Sequence, residues 1–201
     1  MNSVRSTLTA LALLIATPAL ADDAAEAYIS DVLTDADDVF NASDKAARLA
    51  AIAELVNANV DLKRVSRFVL GRYARIMTPE QRAAYEPLFA RYATQVYQNA
   101  LSDYAGQRLE VTGSVDRSET DIIVDTRVVG AAPNDQFDDL DVHWRVLKGE
   151  DGGMSVVDAG AAGIWLAIEQ RSQFRSVIAD NGGGAMGIDA LIAELRRRVG
   201  E

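Results

Sequence analysis

The chain has 201 residues, 49 % hydrophobic and 25 % charged, which suits one folded domain able to bury a sizeable core. Its formal net charge of −10 argues against a phosphate-neutralising nucleic-acid surface, and against adhesion to anionic lipid driven by charge alone. Cysteine is absent, so the fold relies on its core and not on disulfides.

The first residues have the order of an export signal. Arg5 supplies a positive start, Leu8 to Ala16 an apolar run too short to span a bilayer comfortably, and Ala19-Leu20-Ala21 a small-residue cleavage site. Residues 1–21 are expected to be removed, leaving a single α+β domain over 22–201. With no cysteine after the signal, the pattern points to a soluble periplasmic protein and not a lipoprotein.

The first half reads helical. Over 24–41, Tyr28, Ile29, Val32, Leu33, Ala36, Val39 and Phe40 recur at the 3.6 period. Ser43 can cap a second helix carrying Leu49, Ile52, Ala53 and Val56 inward. Asp61 can cap a short third one, with Leu62, Val65, Phe68 and Val69, that Gly71 ends. In TPEQ, Thr78 is an N-cap, Pro79 occupies the first helical position and Gln81 completes a capping box. Tyr85, Leu88, Phe89, Tyr92, Val96, Ala100 and Tyr104 then follow one face to about Gly106. Pro87 inside this pattern is expected to kink the helix.

The period then changes to two. Residues 108–116, 121–129, 140–148 and 154–161 alternate as strands of an antiparallel meander joined by DRSET, a longer polar loop and GEDGG. One face carries Leu109, Val111, Val115, Ile122, Val124, Val128, Val142, Trp144 and Val146; the other carries Asp125, Arg127, His143 and Arg145. Helical periodicity resumes after Ile164, breaks at DNGGGAMG, and ends in a helix with Ile188, Leu191, Ile192, Leu195 and Val199 inward. Arg196 to Arg198 suit the negative end of that helix. The expected fold is N-terminal helices, a curved antiparallel sheet of about four strands and C-terminal helices, able to enclose an apolar pocket.

Catalytic signals are weak. The lone His143 sits on a predicted outward face, and there is neither a thiol nor a nucleophile elbow. One histidine without thiols does not make an ordinary zinc site. The acidic stretch Asp135, Asp138, Asp139 and Asp141 lacks the ligand alternation of a calcium loop. Gly182 to Gly184 follow no strand and precede no Lys-Ser/Thr, so they read as a linker and not a phosphate loop. The aromatic stripe on the fourth helix is compatible with a filled core or with one wall of an apolar cavity.

Three stretches together carry a resemblance: VDLKRVSRFVLGRYARIMTPEQRAAYEPLF, YQNALSDYAG, and VVDAGAAGIWLAIEQRSQFRSVIADNGG followed by IDALIAELRRR. In order and spacing they resemble the MlaC/toluene-tolerance auxiliary family of periplasmic phospholipid-binding proteins, over about residues 25–199. The chain departs from that pattern at Ala74, Met154 and Trp165, and in its triple glycine. The resemblance implies a non-enzymatic carrier without cofactor or metal, shuttling phospholipid between an outer-membrane lipoprotein–porin complex and an inner-membrane ABC transporter with an MCE-domain ring. It implies acyl chains held between sheet and helices. The candidates for lining that pocket are Phe68, Val69, Tyr73, Phe89, Tyr92, Val96, Val124, Val128, Trp144, Val146, Ile164, Trp165 and Phe174. Two other readings remain open from the residues alone: an enzyme of similar curved-sheet shape, and an adaptor that binds no lipid.

Overall fold

In a computed structural model, residues 22–40, 44–100, 108–131 and 137–201 are described. The expected export signal, the Ser43 cap, the helix end at Tyr104 and Gly106, and Asp135 lie outside them. The order is α1 (Asp23–Phe40), α2 (Lys45–Asn59), α3 (Leu62–Leu70), a 3-10 turn (Gly71–Arg75), α4 (Pro79–Ala100), β1 (Arg108–Ser118), β2 (Asp121–Val129), β3 (Asp141–Lys148), β4 (Met154–Ala161), β5 (Ile164–Trp165), α5 (Leu166–Asp180) and α6 (Gly184–Arg198). The sheet is an antiparallel meander of five strands in sequence order. The short β5, absent from the sequence-based expectation, pairs Gly160 with Trp165 and Ala161 with Ile164 immediately before α5 begins.

The helix ends follow local chemistry. The Asp44 carboxylate accepts from the Ala47 amide and caps α2, one residue after the expected cap. Asp61 accepts from the Arg64 amide at 2.8 Å, and Gly71 ends α3 at φ 56°, a conformation that costs a residue with a Cβ more than glycine. The Thr78 hydroxyl and Gln81 side chain exchange reciprocal bonds of 3.2 Å with each other's backbone amides. Gln81 also reaches Ala185 and Asp189, so the same cap anchors α4 to α6. Pro87 lies inside α4, where it withholds the amide that Ala83 would otherwise bond. The glycine-rich break is shorter than expected, because α6 already begins at Gly184. A Cβ on Gly187 would stand 2.3 Å from the Ile178 carbonyl oxygen, so glycine there lets α5 and α6 approach.

The apolar residues separate into two packed bodies. In one, α3, α4, α5 and α6 enclose Val69, Leu70, Tyr85, Leu88, Phe89, Phe174, Ile188 and Leu191, with Val157 of β4. The Phe89 and Phe174 rings meet edge to face at 6.1 Å, and the Tyr85 hydroxyl donates to the Ser66 carbonyl at 3.0 Å. In the other, Ala25 and Ile29 of α1 lie on Ile122, Val124, Val146 and Val156 of the sheet. The crossing from α2 to α3 ties into β4, where the Asp61 amide donates to the Val156 carbonyl at 3.0 Å.

The register of β1 against β2 shifts at two places, the second between Asp116 and Ser118. The first lies between Val111 and Gly113, so Val115 pairs with Ile123 on the outer face and is 45 % exposed, contrary to expectation. The same bulge turns Ser114 inward. Its hydroxyl donates to Glu26 and accepts from the Asp22 amide, fastening the start of α1 to β1. Lys148 pairs with Asp22 at the same corner.

Candidate functional site

About one turn beyond Ile29, the α1 stripe reaches the edge of the body packed on the sheet. Val32, Leu33 and Ala36 line a void of about 1120 Å³, a volume that includes open solvent beyond its mouth. Leu55, Val56 and Asn59 of α2, with Val60, form the adjoining wall. Leu109, Val128, Val142, Trp144 and Val156 form the sheet wall, and Phe137 and Leu140 approach from the loop before β3. Tyr97 of α4 completes the lining, and Asp37 and Arg108 are its charged members.

The Trp144 indole and the Asn59 amide in this wall are bonded within the protein. Trp144 Nε1 donates to Thr126 Oγ1 at 3.0 Å, and that hydroxyl donates to the Val142 carbonyl at 2.8 Å. The indole therefore presents hydrocarbon to the cavity without an unpaired donor. The Asn59 amide donates to the Leu55 carbonyl, and the Tyr28 hydroxyl bonds back to Asn59. Burial, reinforced by the Asp158 carboxylate, pushes the Tyr97 phenol up to about 12. It stays neutral wherever the protein is folded in ordinary buffers. Such a lining holds apolar matter, and among the described residues no group of three or more His, Cys, Asp or Glu could hold a metal ion.

Asp158 lies behind Tyr97, 4 % exposed. Its Oδ1 accepts from the Ala159 and Ala167 amides, each at 2.9 Å, so a β4 carboxylate serves the start of α5 where Trp165 provides no side-chain cap. Burial raises its pKa against the pull of those amides and of Arg145. Tyr97 and Val60 also line a smaller void beside Asp158, so they partition the two spaces.

Of the residues expected to line a pocket, Val128 and Trp144 line this cavity. Val124 and Val146 share their sheet face but are sealed beneath Ala25 and Ile29. Val69, Tyr73, Phe89, Tyr92 and Phe174 are interior to the helical body, with Phe68 and Val96 packed against it. The aromatic rings of that body interlock, and none of these residues lines the cavity described above. Ile164 is 59 % exposed. Trp165 covers Gly160, where a Cβ would stand 2.9 Å from the indole, and lies 6.1 Å from the His143 ring on the outer face. The cavity residues absent from that expectation come from α1, α2 and Val60, from Tyr97, from the strands at Arg108, Leu109, Val142 and Val156, and from Phe137 and Leu140. The α1 periodicity was the available signal, but an amphipathic stripe does not indicate whether its partner is a side chain or a void.

His143 Nδ1 lies 2.6 Å from Asp125, within a row of outer-face pairs that includes Arg127–Asp141 and Arg145–Asp121. The row is a solvated sheet surface with its charges matched across strands. Among the described residues, no helix is long and apolar enough to cross a membrane.

Helices folded over an open sheet, with a partly open hydrocarbon-lined cavity between them, define a binding protein. The chain belongs to the MlaC family, whose model matches residues 26–197, and with that membership it is not an enzyme. Its fold is similar to that of a phospholipid-binding protein from Ralstonia solanacearum, solved in complex with a phospholipid. The two are 24 % identical with a TM-score of 0.72, over 88 % of this chain and 97 % of the other.

Proposed function

We propose that this protein is a periplasmic phospholipid carrier. The observation that carries the reading is the cavity, whose lining is hydrocarbon except at Asp37, Asn59, Arg108 and the Tyr97 hydroxyl. Two acyl chains of about 30 methylenes in all, at roughly 0.8 kcal/mol each, represent about 24 kcal/mol of transfer free energy before ordering costs. That exceeds what any non-covalent complex retains, so partial enclosure of the chains suffices for tight holding. The cavity is open at one side, which leaves room for a headgroup in water. Family membership and the phospholipid-bound neighbour of the same fold support the same ligand class.

In this reading residues 1–21 direct export and residues 22–201 form the lipid-binding unit. The carrier exchanges lipid with an outer-membrane lipoprotein–porin complex and with an inner-membrane ABC transporter bearing an MCE-domain ring, and so maintains the lipid asymmetry of the outer membrane. Native mass spectrometry of protein purified from the periplasm tests this. The expected species begins at Asp22 and carries a phospholipid that survives transfer to the gas phase. Protein that is folded and lipid-free in every preparation would refute the carrier reading and favour an adaptor.

A further inference from the structure

The charge of this acidic protein is unevenly distributed. From Leu62 to Met77 there is no Asp or Glu, while Lys63, Arg64, Arg67, Arg72 and Arg75 all fall within that stretch. The α5 helix packs against α3 and adds Arg171 and Arg175. The two elements meet closely: the Arg171 guanidinium lies 4.8 Å from the centre of the Phe68 ring, and a Cβ on Gly71 would stand 3.2 Å from it.

Elsewhere most cations are matched. Arg82, Arg91, Arg117, Arg127, Arg145, Lys148, Arg197 and Arg198 each have a carboxylate partner. On the α3–α5 face, among the described residues, Arg64 alone is paired, with the Asp61 cap. Among the described residues, Arg67, Arg72, Arg75, Arg171 and Arg175 have no carboxylate partner, and Glu169 is the sole α5 acid before the terminal Asp180. Two large apolar side chains stand out in solvent beside these cations, Ile76 at 54 % and Ile168 at 56 % exposed. Ile168, Arg171 and Arg175 follow one another at helical spacing along one stripe. None of these residues lines the cavity.

We propose that the α3–α5 face docks the protein on the surface of a bilayer containing anionic phospholipid. Guanidinium groups bind phosphate oxygens well, and an isoleucine among them can enter the headgroup layer. A protein groove would need a shape to match, whereas cations and isolated aliphatic side chains on packed helices need only a flat anionic surface. The net charge of −10 does not prevent this. Over a Debye length of about 8 Å at physiological salt, a membrane senses the face it touches and not the acidic remainder. The inference goes beyond lipid carriage, because the face and the cavity are built from different residues.

The test is co-sedimentation of the full protein with vesicles of phosphatidylcholine alone, or of phosphatidylcholine with phosphatidylglycerol. Each cation near an anionic leaflet contributes about five-fold in affinity. The double variant Arg67→Glu, Arg75→Glu should therefore lose at least about 25-fold on the anionic vesicles. Lys45→Glu with Arg48→Glu makes the same change in net charge on α2, and should leave binding within about two-fold of the native protein. Native binding should be weak on phosphatidylcholine and fall as salt rises. Equal loss in the two double variants would overturn the proposal, and so would native protein that ignores anionic vesicles. Binding restricted to vesicles that carry membrane proteins would overturn it too, in favour of an acidic protein surface. Lipid content measured on the same samples keeps the result separate from the carrier reading.

Discussion

Val128 and Val146 occupy the same face of the sheet, and Asp at each should have opposite consequences. Val146 is fully buried between α1 and the sheet, with no path to water. Replacing it removes about 2 kcal/mol of apolar burial and strands a carboxylate, a combined cost of about 5 kcal/mol or more. Against a total stability of about 5–15 kcal/mol, that leaves little or no folded protein. Val128 is half-buried and borders the cavity. There the new carboxylate can hydrate when the cavity is empty, and the folding cost should stay near 1 kcal/mol. Bound acyl chains would remove that water and restore a penalty of about 3 kcal/mol, roughly a hundred-fold in lipid retention. The assay is a thermal melt together with solvent extraction and phosphate analysis of the same preparation. Val128→Asp should melt close to the native protein yet yield almost no phospholipid, whereas Val146→Asp should fail to fold cooperatively. A folded Val128→Asp variant with its full lipid load would refute the assignment of this void as the acyl-chain site.

Tyr97→Ala should join the main cavity to the smaller void beside Asp158, since Tyr97 and Val60 form the partition. The extracted lipid should shift toward longer acyl chains, and an unchanged chain-length distribution would show that the floor lies elsewhere. For pH dependence, the paired Arg145 guanidinium holds the Asp121 carboxyl below its ordinary value through bonds of 2.9 Å. A depressed folded pKa adds stability above the unfolded value that is lost as pH falls through the folded one. Asp121→Asn should thus cost about 1–2 kcal/mol at pH 7, with the two melting curves converging below the ordinary carboxylate range; a gap of constant size would exclude the ion pair as its source.

Where local chemistry decides the outcome, the sequence could be read closely. Asp61, Thr78 and Gln81 mark helix ends through hydrogen bonds made within four residues, Gly71 through its positive φ and Pro79 through its fixed one, and the structure contains those bonds. Period-two alternation likewise identified β1 to β4, because one sheet face packs on helices and the other is wet. Val115 was misplaced because a bulge inserts one residue and inverts the faces beyond it, and Thr112-Gly113 is too slight a signal to reveal that. The pocket was harder to locate. Phe89 and Val32 both stand on amphipathic helices, yet one interlocks with Phe174 and the other borders a void. That difference depends on where helices far apart in sequence meet, which periodicity does not encode.

The division into two packed bodies explains how the protein can keep a cavity at all. A void lined by aliphatic side chains is unfavourable, because its walls lack partner atoms. The helical body of α3 to α6 is packed largely without the cavity walls, sharing with them Val60, which packs against it, and carrying Tyr97 at the far end of α4. At the other end of α1, Ser114 and Lys148 fasten Asp22 and Glu26, and Ala25 and Ile29 close on the sheet. The walls are thus held from outside, by one filled core behind β4 and one anchored helix start. Removal of the ligand then leaves the supporting contacts intact, as a protein that must load and unload an apolar cargo requires.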